Sequence, residues 1–139
     1  MYKRIFVAVD GSDHAINATR HAAELAKALD AKLTLIHAYP DPSDVLGSTD
    51  YSQVVAKREK AGQEILDAAS SVIDNPQVLA GSLLVKDPAA EAVLEAAEQS
   101  QAELIVLGSR GMGNLKRLLL GSVSQKVAQL SHCPVLLVH

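Results

Sequence analysis

The stretch "RIFVAVDGSDHAINATRHAAELAKALDAKLTLIHAY", Arg4 to Tyr39, decides the fold. Arg4 to Val9 is a short β-branched apolar run ended by the turn residues Asp10 and Gly11, the pattern of a buried strand. Ser12 is a good helix N-cap with Asp13 in the first turn, and Ala18, Ala22, Leu25, Ala26 and Leu29 recur at the spacing of one helical face. Lys32 to Tyr39 is a second strand, stopped by Pro40 and Pro42. Two strands with a helix between them make a parallel crossover unit.

The same alternation continues along the chain. Pro40 to Asp50 reads as a long loop, a class of connection that tends to be mobile or functional. A helix from near Asp50 places Val54, Ile65, Ala69 and Val72 on its inner stripe and Lys57 to Lys60 on its wet side. Val78 to Val85 is the third strand; Asp87 then reads as an N-cap with Pro88 as the first helical residue, and Ala90, Val93, Leu94 and Ala97 form that helix's inner face. Glu103 to Gly108 and Pro134 to Val138 are the fourth and fifth strands, separated by a last helix. For that helix, Ser122 and Gln125 have the spacing of a capping box, with Val123, Val127 and Leu130 as the buried face. Unbroken apolar strands alternating with helices predict a doubly wound parallel α/β sheet with helices on both faces.

The chain has 139 residues, a length that predicts one domain spanning 1–139, with no linker or repeat in it. Its formal charge is -3, so no global positive field draws in nucleic acid or anionic lipid, and any anion must be bound locally. Aromatic residues are 3% of the chain, too few for the stacking platform of a single-strand nucleic-acid binder. No apolar run approaches a membrane span, and the start "MYKRIFVAVDGS" reads as a strand, not a cleaved leader, so a cytoplasmic location is expected. Cys133 is the single cysteine, and it reads as packing. His14 and His21 read as surface residues, and no cluster has zinc-ligand spacing.

Ligands of such sheets bind beyond the carboxyl ends of the strands, where the strand order reverses. The route after the fourth strand, "LGSRGMGNLKRLLLGSVSQK", Leu107 to Lys126, is rich in features for this role. Gly108, Gly111 and Gly113 can adopt positive φ and carry no Cβ, so phosphate could approach the backbone closely. Arg110, Lys116 and Arg117 supply local positive charge, and the helix beginning at Gly121-Ser122 offers orphan amides. A helix end contributes about 0.3–1 kcal/mol, up to ~2 when partly buried, whereas micromolar affinity needs about 8 kcal/mol. The ligand therefore needs a second part held by the loops after the first two strands, and a nucleotide has that division. Two known phosphate motifs are excluded: Asn114 and Leu115 stand where a Walker A loop needs Lys and Ser or Thr, and "VDGSDH" has one glycine where a dinucleotide fingerprint needs three.

The spacing Gly108-x2-Gly111-x9-Gly121-Ser122 resembles the ATP-binding pattern G-x2-G-x9-G-[S/T] of universal stress proteins, and "FVAVDGSDHA" and "CPVLLVH" are similar to that family's first and last strands. The resemblance covers the whole chain. It implies a Rossmann-like five-stranded sheet of order 3-2-1-4-5, a homodimer through the last strand, Pro134 to Val138, and bound ATP. By position, it implies that Asp10 and the backbone at Ala38 meet the adenosine, that Leu107 and Gly108 line the approach, and that Gly111, Gly121 and Ser122 surround the phosphates. Val123 and Ser124 would add an amide and a hydroxyl, with Arg110 adding charge. Asp10 beside phosphate is repulsive unless it bonds ribose or a metal, so Mg²⁺ accompanying ATP is expected there. Ala38 stands where a bulkier branched residue is usual, and Lys86 where Gly is usual before Asp-Pro.

These features are binding parts without an evident catalytic set, so a dimeric ATP-binding regulatory module of the stress response is the expected function. Two alternatives stay open: a slow ATPase or autophosphorylating enzyme using Asp10 with metal, or Ser122 or Ser124 as acceptor, and an interaction dimer that binds no nucleotide. The protein partner is not encoded in any recognisable motif.

Overall fold

Each pair of neighbouring strands in the sheet runs parallel, since a helix separates successive strands in the chain. The computed structural model describes residues 1–42, 48–86, 88–110 and 120–139. Strands β1 (Arg4–Ala8), β2 (Lys32–Tyr39), β3 (Leu79–Lys86), β4 (Leu104–Gly108) and β5 (Val135–Val138) alternate with helices α1 (Asp13–Leu29), α2 (Ser48–Ser71), α3 (Ala89–Gln99) and α4 (Ser122–Leu130). The order across the sheet is β3-β2-β1-β4-β5, as the sequence resemblance implied. The chain winds outward from β1 in both directions, so the order reverses between β1 and β4. None of the described helices is long and apolar enough to cross a membrane.

Register sorts the core into two layers. Ile5 lies beside Leu33 and Leu104, and Val7 beside Leu35 and Val106. These six pack under α1 and α2, against Ala18, Ala22 and Leu66. The alternate positions Phe6, Ile36, Ile105 and Leu107 pack on the other face with Val93 and Ala97 of α3 and Val127 of α4. Burying a large apolar side chain of this kind contributes about 1.5–3 kcal/mol.

The alanines of α1 explain its seat. Ala18, Ala22 and Ala26 are wholly buried, and their small side chains bring the helix close to the sheet. Ser12 caps it as expected, its Oγ accepting from the Ala15 N–H at 3.2 Å. At the other end Asp30 takes a left-handed conformation at φ 53° and donates its N–H to Ala26 O.

Several boundaries and burials differ from the sequence reading. Residues 76–78 form a 3-10 turn, so β3 starts at Leu79; Asn75 Oδ1 caps the turn by accepting from the Gln77 N–H at 3.1 Å. β3 and β5 are the sheet's edges and are not covered on both faces: Leu83 and Leu136 remain 36% and 38% exposed. α2 begins at Ser48, ahead of Asp50; of the expected mobile loop, residues 43–47 lie outside the described residues. The cap of α3 is Pro88 in extended conformation, not the first helical residue, and Asp87 also lies outside them. In α4, Val123 and Leu130 are exposed and the buried positions are Ser124 and Val127. That short helix touches the core through one turn, and its Val123 faces a cleft instead.

Candidate functional site

The carboxyl ends of β1, β2 and β4 open into a cleft of about 200 Å³ at the reversal of strand order. Ala8, Ile36 and Leu107 make an apolar floor, Ala89 and Val93 of α3 one wall, and the first turn of α4 the other. Lys126 of α4 bonds Glu91 of α3 and so ties these walls together. That hydrogen bond is the main cause holding the exposed Glu91 carboxyl below its ordinary range. Near the end of β2, the Tyr39 hydroxyl donates to Glu59 Oε1 at 3.3 Å; burial, then the Glu59 charge, raise the phenol above its usual range.

Of the ten residues singled out in the sequence, nine line this cleft: Asp10, Ala38, Leu107, Gly108, Arg110, Gly121, Ser122, Val123 and Ser124. They come from four separate parts of the chain. The tenth, Gly111, lies outside the described residues, as do Gly113, Lys116 and Arg117.

The start of α4 differs from the expected capping box. Gly121 is the N-cap, at φ -70° and ψ 164°, and Ser122 is the first helical residue. Gly121 has no side chain to cap with, and among the described residues no side-chain hydrogen bond closes this end. The first helical bond runs from Gln125 N to Gly121 O at 3.0 Å. The amides of Ser122, Val123 and Ser124 precede it and have no carbonyl of their own helix to bond, so they are donors available at the cleft. The N–H of Gly121 is not among them, because it donates to Ser109 O at 2.7 Å.

Gly108 acts differently from the expectation of positive φ, while Gly111 and Gly113 lie outside the described residues. Gly11 is the one described glycine with positive φ, at 89°. Gly108 is instead a packing glycine: a Cβ there would meet His14 Cβ at 2.7 Å and the His14 carbonyl carbon at 2.9 Å. Its role is the close seat of α1 on β4. Ser124 is likewise tied to the frame, its buried hydroxyl donating to Gly108 O at 2.6 Å. That proton is unavailable to a ligand, although the Ser124 amide is free of this bond. Asp10 Oδ1 accepts from the Ser12 N–H at 2.9 Å, which braces the turn after β1 and holds a carboxylate at the cleft. Arg110 and Ser122 are exposed at the rim.

One histidine was misread in the sequence and two, His37 and His139, were missed. His14 is half-buried, not a surface residue, and its Nδ1 lies 3.3 Å from Ser109 Oγ. His139 Nδ1 lies 2.9 Å from the same oxygen. His37 lines the cleft, is buried, and has Nδ1 at 2.7 Å from Val9 O. A carbonyl only accepts, so that ring nitrogen carries the proton. The one signal for His37 was a polar residue in an apolar strand next to its carboxyl end.

A doubly wound parallel sheet with a cleft at its switch point is a ligand-binding α/β architecture. Within that class, this chain belongs to the universal stress protein family, whose sequence profile it matches over residues 1–139. It is 40% identical over 138 residues to the universal stress protein in the QAH/OAS sulfhydrylase 3'region of Thermus aquaticus, covering 99% of each chain. Among solved structures it resembles a universal stress protein in complex with cAMP, with 29% identity, TM-score 0.72, and 99% and 97% of the two chains covered. The universal stress protein from Archaeoglobus fulgidus in complex with dAMP is also similar, with 27% identity, TM-score 0.69, and coverage of 99% and 98%.

Proposed function

We propose that this chain is a single-domain, cytoplasmic, ATP-binding universal stress protein that acts as a homodimeric regulatory module. The observation that carries the reading is the uncapped start of α4: the amides of Ser122, Val123 and Ser124 border a cleft whose floor is apolar. Phosphate matches the amides and the partial positive charge of the helix end. A base matches the floor at Ala8, Ile36 and Leu107, and its burial supplies affinity that phosphate contacts alone do not reach. Asp10 and the backbone at Ala38 take the adenosine part; Gly111, Gly121, Ser122, Val123 and Arg110 take the phosphates. The structures similar to this chain whose complexes contain dAMP and cAMP support an adenine nucleotide.

The cleft fits Mg²⁺ only together with the nucleotide. Asp10 is the carboxylate at the cleft, and no group of three or more His, Cys, Asp or Glu among the described residues could hold a metal by itself. Mg²⁺ is commonly held by one or two carboxylates plus substrate phosphates, which is the set Asp10 and ATP would provide. The ion would neutralise charge between them.

Association through β5 supports the dimer. It is an edge strand with Leu136 exposed, and an unpaired apolar edge is removed when the same strand of a second copy pairs with it.

Freshly purified protein is denatured and the released small molecules are separated and weighed. The reading expects an adenine nucleotide near one per chain, or ATP binding by calorimetry if the protein is purified empty. No nucleotide in the first and no heat in the second would defeat it.

A further inference from the structure

The backbone ladder between β1 and β2 stops at the edge of the cleft. At its two ends the Lys32 N–H donates to Lys3 O and the Val9 N–H donates to Ile36 O, both at 2.9 Å. Backbone groups alternate sides along a strand, so the even-numbered residues of β2 face β1. Ala38 is the next of them. A regular continuation would carry its N–H to Val9 O, and that bond is not made. Val9 O accepts instead from His37 Nδ1, at 2.7 Å, in a buried hydrogen bond. Val9, His37 and Ala38 all border the cleft.

The imidazole has a fitted seat. It stands under α2, where a Cβ on the buried Gly62 would lie 3.0 Å from His37 Cδ2 and 2.7 Å from Leu84 Cδ1. Glycine is unfavourable inside a helix. Its presence there matches the width of the ring beneath it.

We propose that His37 is a positioning residue: its Nδ1–H holds the Val9 carbonyl out of the β1–β2 ladder and so leaves the Ala38 N–H as a donor to the ligand. Val9 is buried, and its carbonyl needs a partner. While the imidazole supplies one, the Ala38 N–H stays open at the cleft. Without the imidazole, the Ala38 N–H is the next donor in line for Val9 O, and pairing would complete the ladder and close the donor off. For its effect on ligand the proposal rests on the nucleotide reading above, which gives the Ala38 backbone to adenosine.

The test compares the nucleotide-free wild type with His37→Leu, which removes the donor, and His37→Asn, whose side-chain amide stands in for Nδ1–H. Amide hydrogen exchange followed by NMR should show Ala38 exchanging at least about tenfold faster than the ladder amide of Ile36 in wild type and His37→Asn, and slowed about tenfold in His37→Leu. A side chain that only packs would lower stability without slowing this one amide. Equal Ala38 exchange in wild type and His37→Leu would overturn the assignment. If His37→Leu does not fold, the wild-type spectrum decides: a His37 Nδ1 proton that persists beside a fast-exchanging Ala38 amide supports the assignment, and an Ala38 amide as protected as Ile36 overturns it.

ATP calorimetry on the same proteins reads the effect on ligand. His37→Leu should lose about tenfold in affinity while His37→Asn stays close to wild type. Equal affinity in wild type and His37→Leu, or equal losses in the two variants, would overturn the link from His37 to the base. A wild type that binds no ATP defeats the nucleotide reading, while the exchange data still decide what His37 holds.

Discussion

Ser124 Oγ donates a 2.6 Å hydrogen bond to Gly108 O, joining the first turn of α4 to the last residue of β4. The bond is buried and it fixes the helix start beside the strand end. The cleft's geometry therefore depends on a contact between two residues sixteen apart in sequence.

Ser124→Ala should lower stability by about 1–3 kcal/mol, because the Gly108 carbonyl is left buried without this partner. Urea unfolding measures it. A change below about 0.5 kcal/mol, the range of an ordinary surface substitution, would show that the bond does not hold the helix.

Gly108→Ala and Gly81→Ala should behave oppositely. The first drives a Cβ to 2.7 Å from His14 Cβ and 2.9 Å from backbone, so α1 must shift, at a cost of about 1–3 kcal/mol or more. The second meets nothing within 4 Å on an edge strand and reduces the freedom of the unfolded chain, giving a gain of about 0.4–1 kcal/mol. Thermal unfolding of the pair checks the order. Equal effects would contradict a packing role for Gly108.

Ser122→Pro separates fold from binding. Proline is suited to the first helical position, and Gly121 at ψ 164° already has the extended backbone that proline requires before it. Stability should change by less than about 0.5 kcal/mol. One donor to phosphate is lost, and a hydrogen bond to a charged group contributes about 1.5–3 kcal/mol, so ATP affinity should fall at least tenfold. Calorimetry with folding checked by circular dichroism reads both. Unchanged affinity would remove the Ser122 amide from the site.

Leu136→Lys should convert a dimer to a monomer in sedimentation, because lysine on an edge strand opposes pairing with another edge. The side chain is already 38% exposed, so the isolated fold should tolerate the change. A variant that remains dimeric would move the interface elsewhere.

The central β1-α1-β2 unit was legible because its signals are local. A β-branched run, a hydroxyl cap and an alanine stripe sit next to one another in the chain, and of the unit's element bounds the structure moves the end of β1, which closes at Ala8. The strand order came from resemblance to a family, since five apolar runs do not state which neighbours pair. Gly108, Arg110, Gly121 and Ser122 were named from local glycine, charge and helix-start signals, and Asp10, Ala38, Leu107, Val123 and Ser124 from that resemblance; their meeting in space is a consequence of topology. Misreadings cluster where tertiary contact decides. Ser122 looked like a cap because it is the first hydroxyl before an apolar repeat, yet Gly121 takes that position and Ser124 turns inward to Gly108. His14 lies on the polar-looking side of α1, and only the approach of β4 and β5 gives it Ser109 as a partner. Gly108 read as a phosphate glycine, whereas the side chain it must avoid belongs to His14, nearly a hundred residues earlier.

The account depends on free amides at the start of α4 facing phosphate. Amide ¹H–¹⁵N spectra of the nucleotide-free protein, titrated separately with ATP and with adenosine, test this directly. The predicted result is that ATP shifts the Ser122, Val123 and Ser124 signals strongly while adenosine leaves them nearly in place and affects the cleft floor around Ala38. Binding of ATP that leaves these three amides unmoved would contradict the account.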